Sequence, residues 1–154
     1  MSSTATKQYQ DVPVPTKHIL SALWVATLFV FAYVDIFGFF RADVLNAALE
    51  GEISTTGLAA NQTFFLATTL YILLPSLMVV LSLTLRPKAN RVFNIVLSLL
   101  YTLTIVGSCI GETWTYYLIG SAVEVVLLLL IARTAWTWPP AQVGDRPRQQ
   151  PLAV

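Results

Sequence analysis

Residues 116–136 read YYLIGSAVEVVLLLLIARTAW. A helix needs about 20 apolar residues to cross roughly 30 Å of hydrocarbon, and this stretch supplies them. Its middle nevertheless carries a carboxylate, Glu124, directly before Val-Val-Leu-Leu-Leu-Leu-Ile. An acidic residue at the centre of such a helix costs roughly 2.5–3.5 kcal/mol on insertion scales. The length of the stretch decides the fold. The carboxylate points towards function, because intramembrane charge is expensive to keep.

Three further stretches have the same character: residues 19–40, 64–85 and 92–110. β-barrel strands would be about half as long and would alternate in polarity. The whole chain of 154 residues is 56% hydrophobic and 11% charged, against about 25% charged in globular domains. The expected fold is therefore all-α, an antiparallel transmembrane four-helix bundle over residues 17–138. The flanking segments, 1–16 and 139–154, are polar or proline-rich (Pro13, Pro15, Pro139, Pro140, Pro147, Pro151) and are expected to be disordered cytoplasmic tails. The polar segment before residue 19 is too long and weakly charged for a signal peptide, so the first stretch stays as a span.

Between the first two spans, residues 41–53 place Val44, Leu45, Ala48 and Leu49 on one helical face and Asp43, Asn46, Glu50 and Glu52 on the other. This pattern predicts a short helix lying at the membrane interface, either a plain connector or a lid over a cavity. Trp114, Tyr116 and Tyr117 at one end of the last span, and Trp136 and Trp138 at the other, read as interfacial anchors.

Lys7, Lys17, Arg86, Lys88, Arg91, Arg133, Arg146 and Arg148 all fall on or near one face of a four-span protein, and only Arg41 falls on the other. The bias of basic residues towards the cytoplasm then puts both termini inside, in a plasma (inner) membrane. The loops on the other side carry Asp43, Glu50, Glu52 and Glu112. The net charge of +1 averages these two faces and is uninformative. No basic patch with interleaved aromatics occurs, which argues against nucleic acid as a partner.

The polar residues inside the spans are in register. Asn94, Ser98, Tyr101, Ser108 and Glu112 form one stripe on the third span, with Ile105 filling the gap. Tyr117, Gly120, Ser121 and Glu124 repeat the pattern on the fourth. Such stripes must face other helices or water, since hydrocarbon satisfies no polar group. Thr68, Tyr71, Pro75 and Ser76 mark the second span, where Pro75 should free the carbonyl four residues earlier. At about 1.5 Å per residue, Glu124 lies roughly 12 Å from the outer boundary and Asp35, in the first span, roughly 7–8 Å. Glu112, Asp35 and Glu124 thus form a descending acidic series, with Arg41 within reach of Asp35 or Glu112.

Two accounts of the series stay open. On one, Asp35 and Glu124 are protonated, or hydrogen-bonded to Tyr, Ser and Asn of adjacent helices, and fix the packing. On the other, the outer half of the bundle holds a polar cavity whose carboxylates bind a cation, a proton or a polar group. The binding residues would be Asp35, Glu124, Glu112, Tyr101, Tyr117, Ser121, Asn94 and Arg41.

No motif for a named reaction occurs, so no catalytic residue, cofactor or metal is assigned. Cys109 and His18 are each the only residue of their type; neither an intrachain disulfide nor a histidine metal pair can form. Asn61-Gln62-Thr63 matches a glycosylation sequon but abuts the second span and reads as a chance match, or as a helix cap through Asn61.

The order Asp35-Ile-Phe-Gly-Phe-Phe, Ala-Asn90-Arg91-x-x-Asn94-Ile, Tyr116-Tyr117, Glu124 and Trp136-x-Trp138-Pro139 resembles a group of uncharacterised bacterial four-helix integral membrane proteins, itself loosely similar to DoxX-like proteins. The resemblance implies a bacterial inner-membrane bundle of unassigned activity. It also makes Asp35, Asn90, Arg91, Asn94 and Glu124 the positions to test. Cysteines that redox-linked relatives would carry are missing.

The expected function is binding or translocation of a small solute or cation, of unknown identity, through an outward-facing polar cavity. One alternative is a non-catalytic subunit that steadies a larger membrane complex. Another is a membrane enzyme using Asp35 and Glu124 as an acid/base pair on a lipophilic substrate. Beyond the lipid bilayer, the expected partner is a second copy, because a four-helix transporter is small for a complete pathway. Gly120 and Ser121 would offer one contact.

Overall fold

The computed structural model describes residues 12–53 and 57–139. Its elements run α1 (Thr16–Gly38), α2 (Ala42–Leu49), β1 (Glu52–Ile53), β2 (Leu58–Ala59), α3 (Gln62–Thr84), α4 (Pro87–Ser108) and α5 (Thr115–Trp136). Among the described residues α1, α3, α4 and α5 are each long and apolar enough to cross a membrane. The tails expected at either end fall almost wholly outside the described residues.

Short connections set the arrangement. Only Leu85 and Arg86 separate α3 from α4, which forces the two to lie antiparallel. Each long helix packs against two others, α1 on α3 and α5, α4 on α3 and α5. The result is a ring of four with two distinct ends. One, here the terminal end, carries the start of α1, the α3–α4 turn and the close of α5. The other, the loop end, carries α2, the β1–β2 hairpin and the α4–α5 connection.

The burial pattern inverts that of a water-soluble bundle. Phe29, Leu66, Leu70, Val96, Leu103 and Val126 face outward, whereas Ser82, Asn90, Asn94, Ser98, Ser121 and Glu124 are buried. Lipid tails are as apolar as leucine, so burying leucine drives nothing there, and polar groups must find each other instead.

In the terminal half they do. Leu20, Trp24, Met78, Leu128, Ile131 and Ala135 form a closed core around a hydrogen-bonded knot. The Trp24 indole donates to Asn94 Oδ1 at 2.7 Å, and Asn94 Nδ2 donates to Asn90 Oδ1 at 2.6 Å and to the Asn90 carbonyl at 2.8 Å. Asn90 Nδ2 in turn donates to the Ser82 carbonyl at 2.6 Å. One network therefore ties α1, α3 and α4 together. Lys17 adds a cap, its Nζ donating to the Leu83 and Leu85 carbonyls at 3.0 and 2.8 Å. A cation there suits the negative end of the α3 dipole.

Midway along the bundle, Pro75 lies inside α3. Proline lacks an N–H, so the Tyr71 carbonyl loses its helical partner. The Tyr101 hydroxyl of α4 donates to that carbonyl, satisfying it as hydrocarbon requires. Opposite, α5 approaches α1 at Gly120, where a Cβ would run into the Val34 side chain. Gly120 is thus used for packing within the chain.

Two boundaries depart from expectation. The third span starts at Pro87 rather than 92, because proline at the first helical position lets the helix begin in the polar segment Pro87–Arg91. The interfacial helix ends at Leu49 rather than 53. Gly51, at φ 78°, breaks it in the left-handed region. A two-residue hairpin follows, pairing Glu52 with Ala59 and Ile53 with Leu58. Asn61 caps α3, its side chain accepting the Phe64 amide at 3.0 Å.

Candidate functional site

The loop half of the bundle is hollow. A cavity of about 320 Å³ opens among all four long helices, lined by Phe31 and Asp35 of α1, Tyr71 of α3, Thr104 and Ser108 of α4, and Tyr117 and Glu124 of α5, with Val34, Ile72 and Ile105. Helical spacing puts these groups together: Phe31 and Asp35 are four apart, Thr104 and Ser108 four, Tyr117 and Glu124 seven, each set on one face. Stacked aromatics form its floor, Tyr71 against Tyr101 at 4.5 Å between ring centres and Phe31 against Tyr101 at 6.4 Å.

Towards the loop end a wider vestibule of about 820 Å³ follows. Val34, Asp35, Ser108 and Tyr117 line both spaces, so Asp35 stands where they meet while Glu124, only 4% exposed, lies in the inner one.

The hydroxyls around the inner cavity are bonded among themselves. Thr104 donates to the Tyr101 carbonyl at 2.9 Å and Ser108 to the Ile105 carbonyl at 2.8 Å. Thr104 also lies 2.7 Å from the Tyr71 hydroxyl, a hydrogen bond in which either oxygen can donate. Tyr117 donates likewise to Ser108 at 3.0 Å. Each of the four hydroxyls thus has a protein oxygen as a hydrogen-bond partner. No described residue hydrogen-bonds to Asp35 or Glu124 through the carboxylate. The walls offer hydroxyls, carboxyls and aromatic surface, and no Lys, Arg or His lines the cavity.

Arg41 could have neutralised Asp35, but its side chain is held elsewhere. It pairs with Asp43 at 2.6 Å and Glu112 at 3.0 Å and lies over the Trp114 ring at 4.7 Å. Glu112 also accepts the Thr113 and Trp114 amides at 2.8 and 3.0 Å. This latch joins the start of α2 to the α4–α5 connection at the vestibule. The Arg41 hydrogen bond holds the Asp43 carboxyl below the usual range. Desolvation works upward on Glu112, but the Trp114 amide, Arg41 and the Thr113 amide together bring it below its ordinary value.

Acidification is expected to loosen the latch. A carboxylate depressed in the folded protein contributes fully above the ordinary carboxylate range, and that contribution is lost as pH falls through the folded value. Amide protection in α2 should hold from neutrality to about pH 5 and drop below about pH 4. Hydrogen exchange of an Arg41→Gln variant should show weak α2 protection throughout, with no such step.

The eight residues singled out from sequence distribute over five places. Asp35, Glu124 and Tyr117 line the inner cavity. Arg41 and Glu112 form the vestibule latch. Tyr101 lies beneath the floor, bonded to the Tyr71 carbonyl. Asn94 belongs to the terminal knot with Asn90, and Ser121 is buried but does not line the cavity. Arg91 donates to the Trp136 carbonyl at 2.9 Å at the terminal end, far from the cavity. Phe31 and Thr104 were not singled out, and Tyr71 was marked as a polar residue of the second span without being placed in the site. Spacing carried a signal for Phe31 and Thr104: Phe31 sits four residues before Asp35, and Thr104 four before Ser108.

A family model described as a family of unknown function, DUF6326, matches residues 11–144. No curated protein and no solved structure matches the chain. The match supports membership of an uncharacterised family, and nothing supports the looser likeness to DoxX-like proteins.

Proposed function

The chain belongs to DUF6326, a family of unknown function, and within it we propose a small multi-pass membrane protein that binds a cation in the cavity shared by Asp35 and Glu124. One observation carries the reading: two carboxyls on different helices line one cavity while the neighbouring hydroxyls bond elsewhere. Glu124, buried and kept for packing alone, would be expected to take those hydroxyls as partners, since an unpaired buried polar group is costly. A cation supplies what the protein withholds. The distribution of basic residues adds a direction, with the termini in the cytoplasm and the vestibule facing out.

The test is calorimetric titration of the purified protein in lipid nanodiscs with sodium, potassium and ammonium-type cations. Wild type is expected to bind at least one of them saturably. Glu124→Gln and Asp35→Asn should each weaken that binding about tenfold or more, as loss of a charged partner does. Glu124→Gln should melt at or above the wild-type temperature, because a buried carboxyl without a partner contributes only desolvation cost, and Asp35→Asn, exposed towards the vestibule, should melt close to it. Unchanged binding in both would remove the carboxyls from the site and sink the proposal.

A further inference from the structure

We infer that the occupant of the cavity is an organic ammonium, a positively charged nitrogen bearing alkyl groups; this rests on the cation-binding reading above and narrows it. Three features of the cavity carry the narrowing. The first is size. About 320 Å³ is at the low end of small-molecule sites, which run from about 300 to 1,000 Å³. A bare metal ion would leave most of it to water, each molecule taking about 30 Å³.

The second is the donor set. Among the described residues no group of three or more His, Cys, Asp or Glu side chains could hold a metal ion. Two carboxyls and hydroxyl lone pairs match a single diffuse positive charge better than a divalent ion that demands a full oxygen shell. The third is the wall. Phe31, Tyr71 and Tyr117 line the cavity beside Asp35 and Glu124. Aromatic faces attract alkylammonium ions through the ring quadrupole, most strongly where water is excluded. They do nothing comparable for a hydrated inorganic cation, whose shell keeps it from the ring.

Glu124 fixes where the charge sits. It is 4% exposed and carries no hydrogen bond from the described residues, yet it lines the cavity. The ammonium nitrogen therefore sits by Glu124 with its alkyl groups against the rings, and Asp35 guards the way to the vestibule.

The experiment uses the full chain in nanodiscs of phosphatidylglycerol, which has no ammonium headgroup. Choline is titrated in parallel with its uncharged tert-butyl analogue, dimethylbutanol, and with sodium at constant ionic strength. Choline is expected to bind saturably, at least tenfold more tightly than either. Tyr117→Leu should weaken choline roughly tenfold, within the range of ring–cation attraction, and Tyr117→Phe, which keeps the ring, should stay within about threefold of wild type. The same titration in phosphatidylethanolamine discs separates two sources of the ammonium. Binding weakened there marks a lipid headgroup as the natural occupant, and binding unchanged marks a free solute; both support the ammonium site.

Carboxylate-dependent binding of sodium without choline would overturn the inference and leave the cation reading standing. Equal binding of choline and dimethylbutanol would overturn it on wild type alone, whether or not Tyr117→Leu folds. Binding of none of the cations in either membrane would defeat both.

Discussion

Asn94→Ala is expected to cost about 2–5 kcal/mol of stability, because it strands buried groups on three neighbours at once. The Trp24 indole N–H and the Ser82 hydroxyl lose their acceptor and Asn90 Oδ1 loses its donor, all of them buried. Each orphaned group carries a penalty of about 1–3 kcal/mol, and the cavity left by truncation adds to it. Denaturation in mixed micelles measures the loss directly. Pairing Asn94→Ala with Trp24→Phe should recover part of it, since the second change removes the stranded indole donor. A coupling of about 0.6–1.7 kcal/mol fits hydrogen bonds between membrane helices. Strict additivity of the two substitutions would show that the indole bond contributes nothing. Cation binding at the opposite half should survive in whatever fraction remains folded.

Gly120→Val should do the reverse, damaging stability and the cavity together. Already a Cβ at 120 runs into Val34, and Val34 is β-branched and stiff. Overpacking of this kind costs about 1–3 kcal/mol, and the larger valine belongs at the upper end. The strain is relieved by moving α5 away from α1. That shift carries Glu124 away from Asp35, one turn beyond Gly120 on the same helix, so cation affinity falls with the melting temperature. Gly120→Ala should show both effects more weakly, and adding Val34→Ala should restore much of the loss by making room. A Gly120→Val protein that melts and binds like wild type would show that α1 and α5 do not meet there.

The spans were legible because a membrane fixes helix length and polarity at once, and the two carboxyls within the spans stood out for the same reason. So did the carbonyl freed by Pro75, whose loss follows from covalent structure alone. What periodicity could not give was the division of labour along one stripe. Asn94, Tyr101 and Ser108 share a face of α4, yet Asn94 joins the terminal knot, Tyr101 lies under the floor and Ser108 lines the cavity. The difference lies in what α1 and α3 present at each level, which no single helix encodes. The choice of Arg41 between Asp35 and Glu112 was hidden similarly. It depends on the α4–α5 connection bringing Glu112 and Trp114 beside α2, a matter of loop geometry.

The packed half of the bundle also sets a clock. Trp24, Met78 and Leu128 belong to the packed core on the terminal side of the cavity, so on the proposed reading a solute held near Glu124 would depart through the vestibule by which it arrived. A newcomer cannot push it onward, as neighbouring ions do in a conduction pore. The lifetime of a labelled molecule in the cavity should then be the same in a weak chase and a strong one. Residence belongs to the protein, and crowding outside changes only how soon the vacancy is refilled.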